Sequence, residues 1–367
     1  MPCQGNFNIN TACRLGEIRR PVREVRAIRK SAVNVPVPGQ AIRMEDVARS
    51  AGVSLVTVSR VVNHPEKVAP GTLEAVRRVI DELGFVPNLT AGSLASRRSR
   101  IVAVIVPTIA NSIFADTVEG LSNLLEPAGY QLLLGQSHYD FNEEARLVET
   151  FLGRRVDGLV LTGVDHANSV RTRLRSASVP VIETWDLSPE PIDQLVGFSN
   201  REAGAAAADY LIRKGYRRFA YLGGTEARSA RRLEGFQSAV QRAGLPAVVA
   251  ILLPSASAIG DAGIALINLR TQHSDIRAVF CANDMLAAGV LFECQRLGLQ
   301  VPGHLAIMGF ADLPIAAASE PALTSVRVHS REIGTRSAQL LISRLNGEPV
   351  TRRRFDLGFS IVERASA

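Results

Sequence analysis

Cysteine is scarce in this 367-residue chain: Cys3, Cys13, Cys281 and Cys294 form no CxxC pair and no Cys/His grouping at zinc-finger spacing. Neither a disulfide framework nor a structural zinc site is indicated, and a reducing, cytoplasmic setting is expected. Long apolar runs are missing as well. The stretch from Ile101 to Val106 falls far short of the roughly 20 residues a membrane-spanning helix needs, so no membrane partner is expected. The N-terminus has scattered Arg and Lys but no continuous apolar segment followed by a small-residue cleavage site, and it does not read as a secretory signal. There is no P-loop, no GxSxG elbow and no HExxH, and the six His residues show no metal spacing. Enzymatic activity, a metal and a cofactor are therefore not expected.

What the chain does have is the composition of a globular protein, 46% hydrophobic and 21% charged, with length enough for two or three compact units at roughly 150 residues each. Its net charge of +7 is unevenly spread. Residues 1–40 carry a net +5, residues 41–100 a net +3 and residues 101–367 a net −1. A basic first quarter on a nearly neutral body points to a polyanion-binding module, most simply a nucleic-acid reader. Residues 1–40 read as a disordered basic extension ending in the linker-like Val33–Gly39, where prolines remove amide donors and restrain the residues before them.

From Met44 to Asn63 the apolar positions Val47, Ala48, Ala51, Val53, Val58, Val61 and Val62 recur at helical spacing with one interruption, Gly52. A glycine there ends a helix with positive φ, and Ser54 caps the next, which gives helix, tight turn, helix. Ala48, Gly52 and Val58 hold the places where a helix-turn-helix needs a small residue at the helix crossing, a turn, and a core anchor. A third helix from Pro70 to Leu83 carries Leu73, Val76, Val79, Ile80 and Leu83 on one face and is stopped by Gly84. The expected boundaries are 42–87 for this all-α domain and 88–100 for a hinge and linker.

Beyond Arg100 near-continuous apolar strands alternate with amphipathic helices. IVAVIVP, YQLLLGQ, DGLVLTG, VPVIETW and LVGFSN form one series between 101 and 200; RRFAYLGG, VVAILL, AVFCAN and LAIMGF form a second between 217 and 310. Strands buried on both faces mean parallel sheets, and this many exceed one comfortable sheet. Residues 101–362 are therefore read as an α/β domain of two parallel-sheet subdomains with a ligand cleft between them.

The helix opening at Ser54 is the one expected to enter the major groove. Arg60 suits a guanine edge, Leu55 and Val56 an apolar contact such as a thymine methyl, and Thr57 and Ser59 a phosphate. The segments DVARSAGVS and VTVSRVVN, followed by LGFVPN and a leucine-containing hinge, resemble the LacI/GalR family of bacterial transcriptional regulators over residues 42–362. Within it VDGLVLT, VGFSN, AYLGG, VFCANDMLAAG, FECQRLGLQVP and FDLGFS are most similar to the gluconate repressor type. The resemblance implies a periplasmic-binding-protein-like body, a homodimer, a pseudo-palindromic operator and a small effector, a sugar acid in that subgroup.

It adds Asn63, Asn88, Ala91 and Leu94 to the DNA-binding set. The segment matching Asn88 to Ser96 becomes helical on the operator and Leu94 wedges into the minor groove, while Gly92 departs from the pattern and weakens that helix by roughly 1 kcal/mol relative to Ala. It also implies effector contacts from Phe114, Arg228, Arg232 and Asp284. Trp185, the only Trp, stands beside them either as an apolar stacking surface or as an ordinary buried anchor. Arginines for a carboxylate, Asp284 for hydroxyls and an aromatic face suit an acidic sugar, and Arg231 is a third cation near the pocket whose plainer reading is a solvated helix-surface residue. Ser199 and Ala311 stand where many relatives have Asp. Two readings from other classes are a periplasmic-type sugar receptor, which the DNA module disfavours, and a sugar-metabolising enzyme using Asp284 and Glu183 as an acid/base pair.

Overall fold

The computed structural model describes residues 42–86, 98–109, 112–254 and 259–367. The basic extension, Asn88, Ala91 and Leu94 lie outside the described residues. The chain divides into two units at Asn88/Leu89.

In the first unit α1 spans Met44–Ala51, α2 Leu55–Asn63 and α3 Pro70–Leu83. Gly52 stands at φ 65°, left-handed, and its amide turns back to the last carbonyls of α1. A residue with a Cβ would be strained in that conformation, which is why the turn falls here. Ser54 Oγ accepts from Thr57 N at 3.2 Å and satisfies one of the free amides opening α2. Val47, Ala48, Val58, Val61, Val76 and Phe85 are buried together, with the outer apolar positions of α3 half-buried around them. Each of the large side chains contributes about 1.5–3 kcal/mol by leaving water.

The second unit holds two sheets. β1 (Ile101–Val106), β2 (Gln131–Gln136), β3 (Gly158–Thr162), β4 (Val181–Thr184), β5 (Gln194–Gly197) and β11 (Arg354–Asp356) lie in the order β11-β5-β4-β3-β1-β2, all parallel. β6 (Phe219–Gly224), β7 (Val249–Leu253), β8 (Ala278–Cys281), β9 (Ala306–Ala311), β10 (Thr324–Val328) and β12 (Phe359–Val362) lie in the order β12-β10-β9-β8-β6-β7, with only β12 antiparallel. Both parities of β1 are buried: Val102, Val104 and Val106 enter one core cluster, Ala103 and Ile105 another. Helices therefore cover both faces, as the near-continuous apolar strands require.

The first sheet carries α4 (Ala115–Leu125), α5 (Phe141–Gly153), α6 (Asn168–Ser176) and α12 (Ser330–Leu345); the second carries α7 (Asn200–Arg213), α8 (Ala227–Arg242), α9 (Ile259–Gln272), α10 (Asp284–Arg296) and the short α11 (Pro314–Ala318). The chain passes between the subdomains three times, before α7, before α12 and between β11 and β12. α7 and α8 cross through Gly204 and Gly235, where an added Cβ would fall about 1.9 Å from Arg232 O and 1.8 Å from Arg201 O. No other residue permits that approach, and it fixes the helix bearing Arg228, Arg231 and Arg232. The nine apolar runs read from the sequence are all strands; β10, β11 and β12 are added to them.

Candidate DNA-binding helix and effector cleft

In the first unit α2 shows its outer face to solvent. Leu55 and Val56 are 43% and 58% exposed, against burial of Val58 and Val61 on the opposite side. Arg60 is exposed, and its guanidinium has no protein partner among the described residues. Ser54 Oγ lies 2.9 Å from Thr57 Oγ1, and Asn63 Nδ2 donates to Ser59 O at 2.9 Å. The first turn of α2 contains no acidic residue, unlike that of α1, which has Glu45 and Asp46. The positive end of α2 is thus left for an anion. Ser54, Leu55, Val56, Thr57, Ser59, Arg60 and Asn63 all lie at or on this helix.

In the second unit the C-terminal ends of β1, β2, β3 and β6 enclose a cavity of about 360 Å³ between the subdomains. Ser137, Tyr139, Glu144 and Asp165 line it from the first subdomain, Glu226 and Arg228 from the second. Arg228 Nη1 donates to Thr162 O at 3.3 Å and its guanidinium lies 5.5 Å from the centre of the Phe114 ring. Burial pulls its pKa below the ordinary arginine value and pushes the phenol of Tyr139 up. Glu226 Oε2 is buried and has no partner among the described residues.

Four aromatic rings bridge the subdomains beside this cavity. Phe114 meets Trp185 edge-on at 5.0 Å, Trp185 meets Phe198 at 6.1 Å, and Phe198 meets Phe310 at 6.0 Å. Arg228 sits over the first ring and Arg232 over the last, at 4.3 Å. Arg232 also donates to Asn200 Oδ1, and Asn200 Nδ2 donates to Trp185 O at 2.8 Å. Trp185 is 2% exposed, and its indole Nε1 donates to Thr117 Oγ1 at 3.1 Å, so it is an anchor of this spine with little face left open. Trp185 at φ 70°, His138 and Tyr139 at 53° and 61°, and Ala311 and Asp312 at 100° and 57° stand at or just after the ends of β4, β2 and β9. Such left-handed conformations cost about 1–3 kcal/mol each and concentrate where side chains are aimed at a site.

Of the effector residues expected from the sequence, the structure brings Phe114, Trp185, Arg228 and Arg232 into one assembly. Asp284 stands apart from the cavity: fully buried at the start of α10, it accepts from Ser325 Oγ and Leu313 N, both at 2.7 Å. Burial raises its carboxyl to about 7 against the pull of those two bonds. Glu183, its imagined catalytic partner, is buried in the first subdomain and accepts from Ile192 N.

Arg231 is not a solvated cation. Its guanidinium reaches across the cleft to Asp165, at 2.6 and 2.7 Å, and to Asp186 at 2.6 Å. Burial opposes the charge on Asp165, yet the Arg231 hydrogen bonds hold that carboxyl below its usual range, and Asp165 in turn raises Arg231. Asp165, Asp186, Tyr139, Glu144 and Glu226 were not picked out of the sequence. The usable signal was positional: all but Glu144 lie in loops just after parallel strands, where ligands collect in α/β folds. Among the described residues no His/Cys/Asp/Glu group fit for a metal occurs, and no helix is long and apolar enough to cross a membrane.

Residues 43–88 match the family model for bacterial regulatory proteins of the lacI family, and residues 208–367 match that for a periplasmic binding protein-like domain. The chain is 37% identical over 342 residues to the HTH-type transcriptional regulator GntR of Pseudomonas aeruginosa, covering 93% of this chain and 99% of that one. The chain belongs to the lacI family. Among solved structures it resembles a lacI-family transcriptional regulator from Silicibacter pomeroyi (TM-score 0.83, 29% identity, 89% of this chain and 99% of that one). It also resembles the transcription regulator GntR from Chromobacterium violaceum (TM-score 0.70, 38% identity, 72% and 98%). This lacI-family member is a DNA-binding transcriptional regulator, not an enzyme. Regulators of this family bind operator DNA and small-molecule effectors and act as dimers.

Proposed function

We propose that this lacI-family regulator represses genes for the use of a sugar acid, gluconate or a close relative, and that the acid releases it from its operator. The supporting observation is the cavity between the subdomains, lined by the desolvated Arg228 and by Glu226, whose buried Oε2 is uncommitted. A guanidinium suits the carboxylate of an aldonate, carboxylate oxygens suit its hydroxyls, and the volume lies within the usual range for small ligands. In this reading Arg228 binds the ligand, Arg232 and Phe114 support it through the aromatic spine, Trp185 anchors that spine, and Asp284 acts from behind through Leu313 and Ser325.

On the DNA side Arg60 reads a guanine edge, Leu55 and Val56 make apolar contacts, and Ser54, Thr57, Ser59 and Asn63 bear on the backbone. Asn88, Ala91 and Leu94 belong to the hinge contact. A second copy of the chain packs along the edge strands β2 and β7 and the adjacent α9. Leu134, Leu252, Ile264 and Ile267 are exposed there by 44% or more, and an uncovered apolar edge is otherwise a route to aggregation. Action in the cytoplasm follows from the operator target.

The ligand must prefer the arrangement that does not bind operator, and a coupling of about 1–3 kcal/mol weakens DNA binding roughly 5- to 150-fold. By reciprocity operator DNA weakens gluconate binding by the same factor. Calorimetry with sodium gluconate, with and without operator, tests both statements. A protein that ignores gluconate and binds a neutral sugar or a nucleobase instead would overturn the sugar-acid reading and leave the family untouched.

A further inference from the structure

The wall of the cavity provided by α5 contains a buried ionic relay that DNA binding does not use. His166 Nδ1 lies 2.7 Å from Glu144 Oε1, and His166 Nε2 faces Glu183 Oε1 at 3.5 Å. Arg171 Nη1 is 3.6 Å from the same Glu183 oxygen, while Glu183 Oε2 takes the Ile192 amide. The side chains of His166 and Glu183 have no exposed surface; that of Glu144 keeps a tenth of its own. Burial works against a charge on His166, yet the hydrogen bond to Glu144 and the nearby Glu183 carboxyl lift its pKa to about 9. His166 is therefore an imidazolium at neutral pH, held between the Glu144 and Glu183 side chains with Arg171 beside the latter.

Burying such a cluster gains little stability over apolar side chains of the same volume. What it does accomplish is geometric. Glu144 is one of the groups lining the cavity, and with Oε1 held by His166 its Oε2 has no partner among the described residues. Of the other first-subdomain carboxylates on the cavity, Asp165 has both oxygens taken by Arg231, and the exposed Asp140 caps α5, its Oδ1 accepting from the Asn142 amide. An ionised carboxylate accepts and never donates, so the free oxygen of Glu144 calls for a ligand that brings a hydroxyl to it.

We infer that Glu144, aimed by His166 and Glu183, is the group that selects a polyhydroxylated acid over an apolar acid of equal length. This rests on the sugar-acid reading above, in which Arg228 takes the ligand carboxylate from the opposite wall. Glu144 touches the ligand; His166 and Glu183 are positioning residues. A fixed acceptor facing a fixed donor across one cavity measures both the chain length and the hydroxylation of its ligand.

The test titrates the full-length protein with sodium gluconate, the set of monodeoxygluconates and sodium hexanoate by calorimetry. Glu144→Gln, an isosteric change that replaces an acceptor oxygen by a donor, is expected to weaken gluconate 10- to 100-fold, as for a hydrogen bond to a charged group. One monodeoxygluconate, lacking the partner hydroxyl, is expected to bind wild type and Glu144→Gln alike. His166→Gln should lower the ratio of gluconate to that deoxy acid without changing affinity for the deoxy acid, which a general loss of structure would not do. Should Glu144→Gln fail to fold, Glu144→Asp, which keeps the charge and shortens the reach, must lower the same ratio. If gluconate binds wild type and the ratio is unmoved in these variants, the role of Glu144 falls and the sugar-acid reading survives. If wild type ignores gluconate, both fall.

Discussion

The two units of this regulator treat arginine in opposite ways. In the helical unit Arg60 stands exposed on α2 with no protein partner among the described residues. In the α/β unit Arg231 is clamped by two carboxylates, Arg232 lies over Phe310 beside Asn200, and Arg228 is desolvated against Phe114. A DNA duplex is a dense, hydrated polyanion that exchanges counterions for protein cations, so an open guanidinium on a rigid helix suffices, and its binding falls with salt. A small acid offers few contacts, so the groups that meet it must be desolvated and fixed beforehand, with neighbouring charges bearing the cost.

The largest effect that tests this contrast is expected at the clamp. Arg231→Ala leaves Asp186, 3% exposed in its side chain, without its cation. Breaking the pair should cost about 3 kcal/mol, the low end for a buried pair, because Arg231 and Asp165 each keep about a third of their surface. Urea unfolding followed by circular dichroism measures it; a loss below about 1 kcal/mol would put Arg231 back among surface cations.

Next in size, Arg60→Ala should weaken operator binding by about 1–3 kcal/mol and relax preference at one base pair per half-site, leaving unfolding unchanged. Fluorescence anisotropy against operator variants reads both, and equal weakening on every sequence would make Arg60 a phosphate contact. In the same assay the log-log slope of affinity against salt should be strongly negative, and a flat line would break the comparison at its open end.

The buried relay gives a pH signature. The folded-state pKa of His166 is raised, so its contribution is complete below the unfolded value near 6.5 and disappears as pH rises through about 9. Stability should therefore fall between about pH 6.5 and 9, and His166→Gln should flatten that limb. Differential scanning calorimetry across this range decides it. The raised carboxyl of Asp284 adds a fall at lower pH, between about 4 and 7, which Asp284→Asn should remove.

The smallest effect belongs to the helical unit, where Ser54→Ala removes the cap of α2 and should cost that unit about 1 kcal/mol. Thermal melting of the near-ultraviolet and far-ultraviolet signals locates the loss.

The amino-acid sequence by itself determined the helix-turn-helix, because α1, Gly52, Ser54 and α2 are neighbours whose spacing and capping are local. It determined the nine strands β1 to β9 in the same way, since apolar runs covered by helices on both sides carry their own signal. β10 was not read from the sequence, and β11 and β12, mostly half-exposed, owe their places to pairing with β5 and β10, far off in the chain. The cleft was legible only in part. Arg228 and Arg232 stand out in the chain, but Arg231 finds Asp165 and Asp186 at separations of 66 and 45 residues, and His166 finds Glu144 at 22. Asp284, the expected hydroxyl acceptor, is taken instead by Ser325 and Leu313. Which charge lies open and which is neutralised depends on loops from several strands meeting at one end of two sheets, and that meeting is decided by tertiary packing, since no local spacing encodes it.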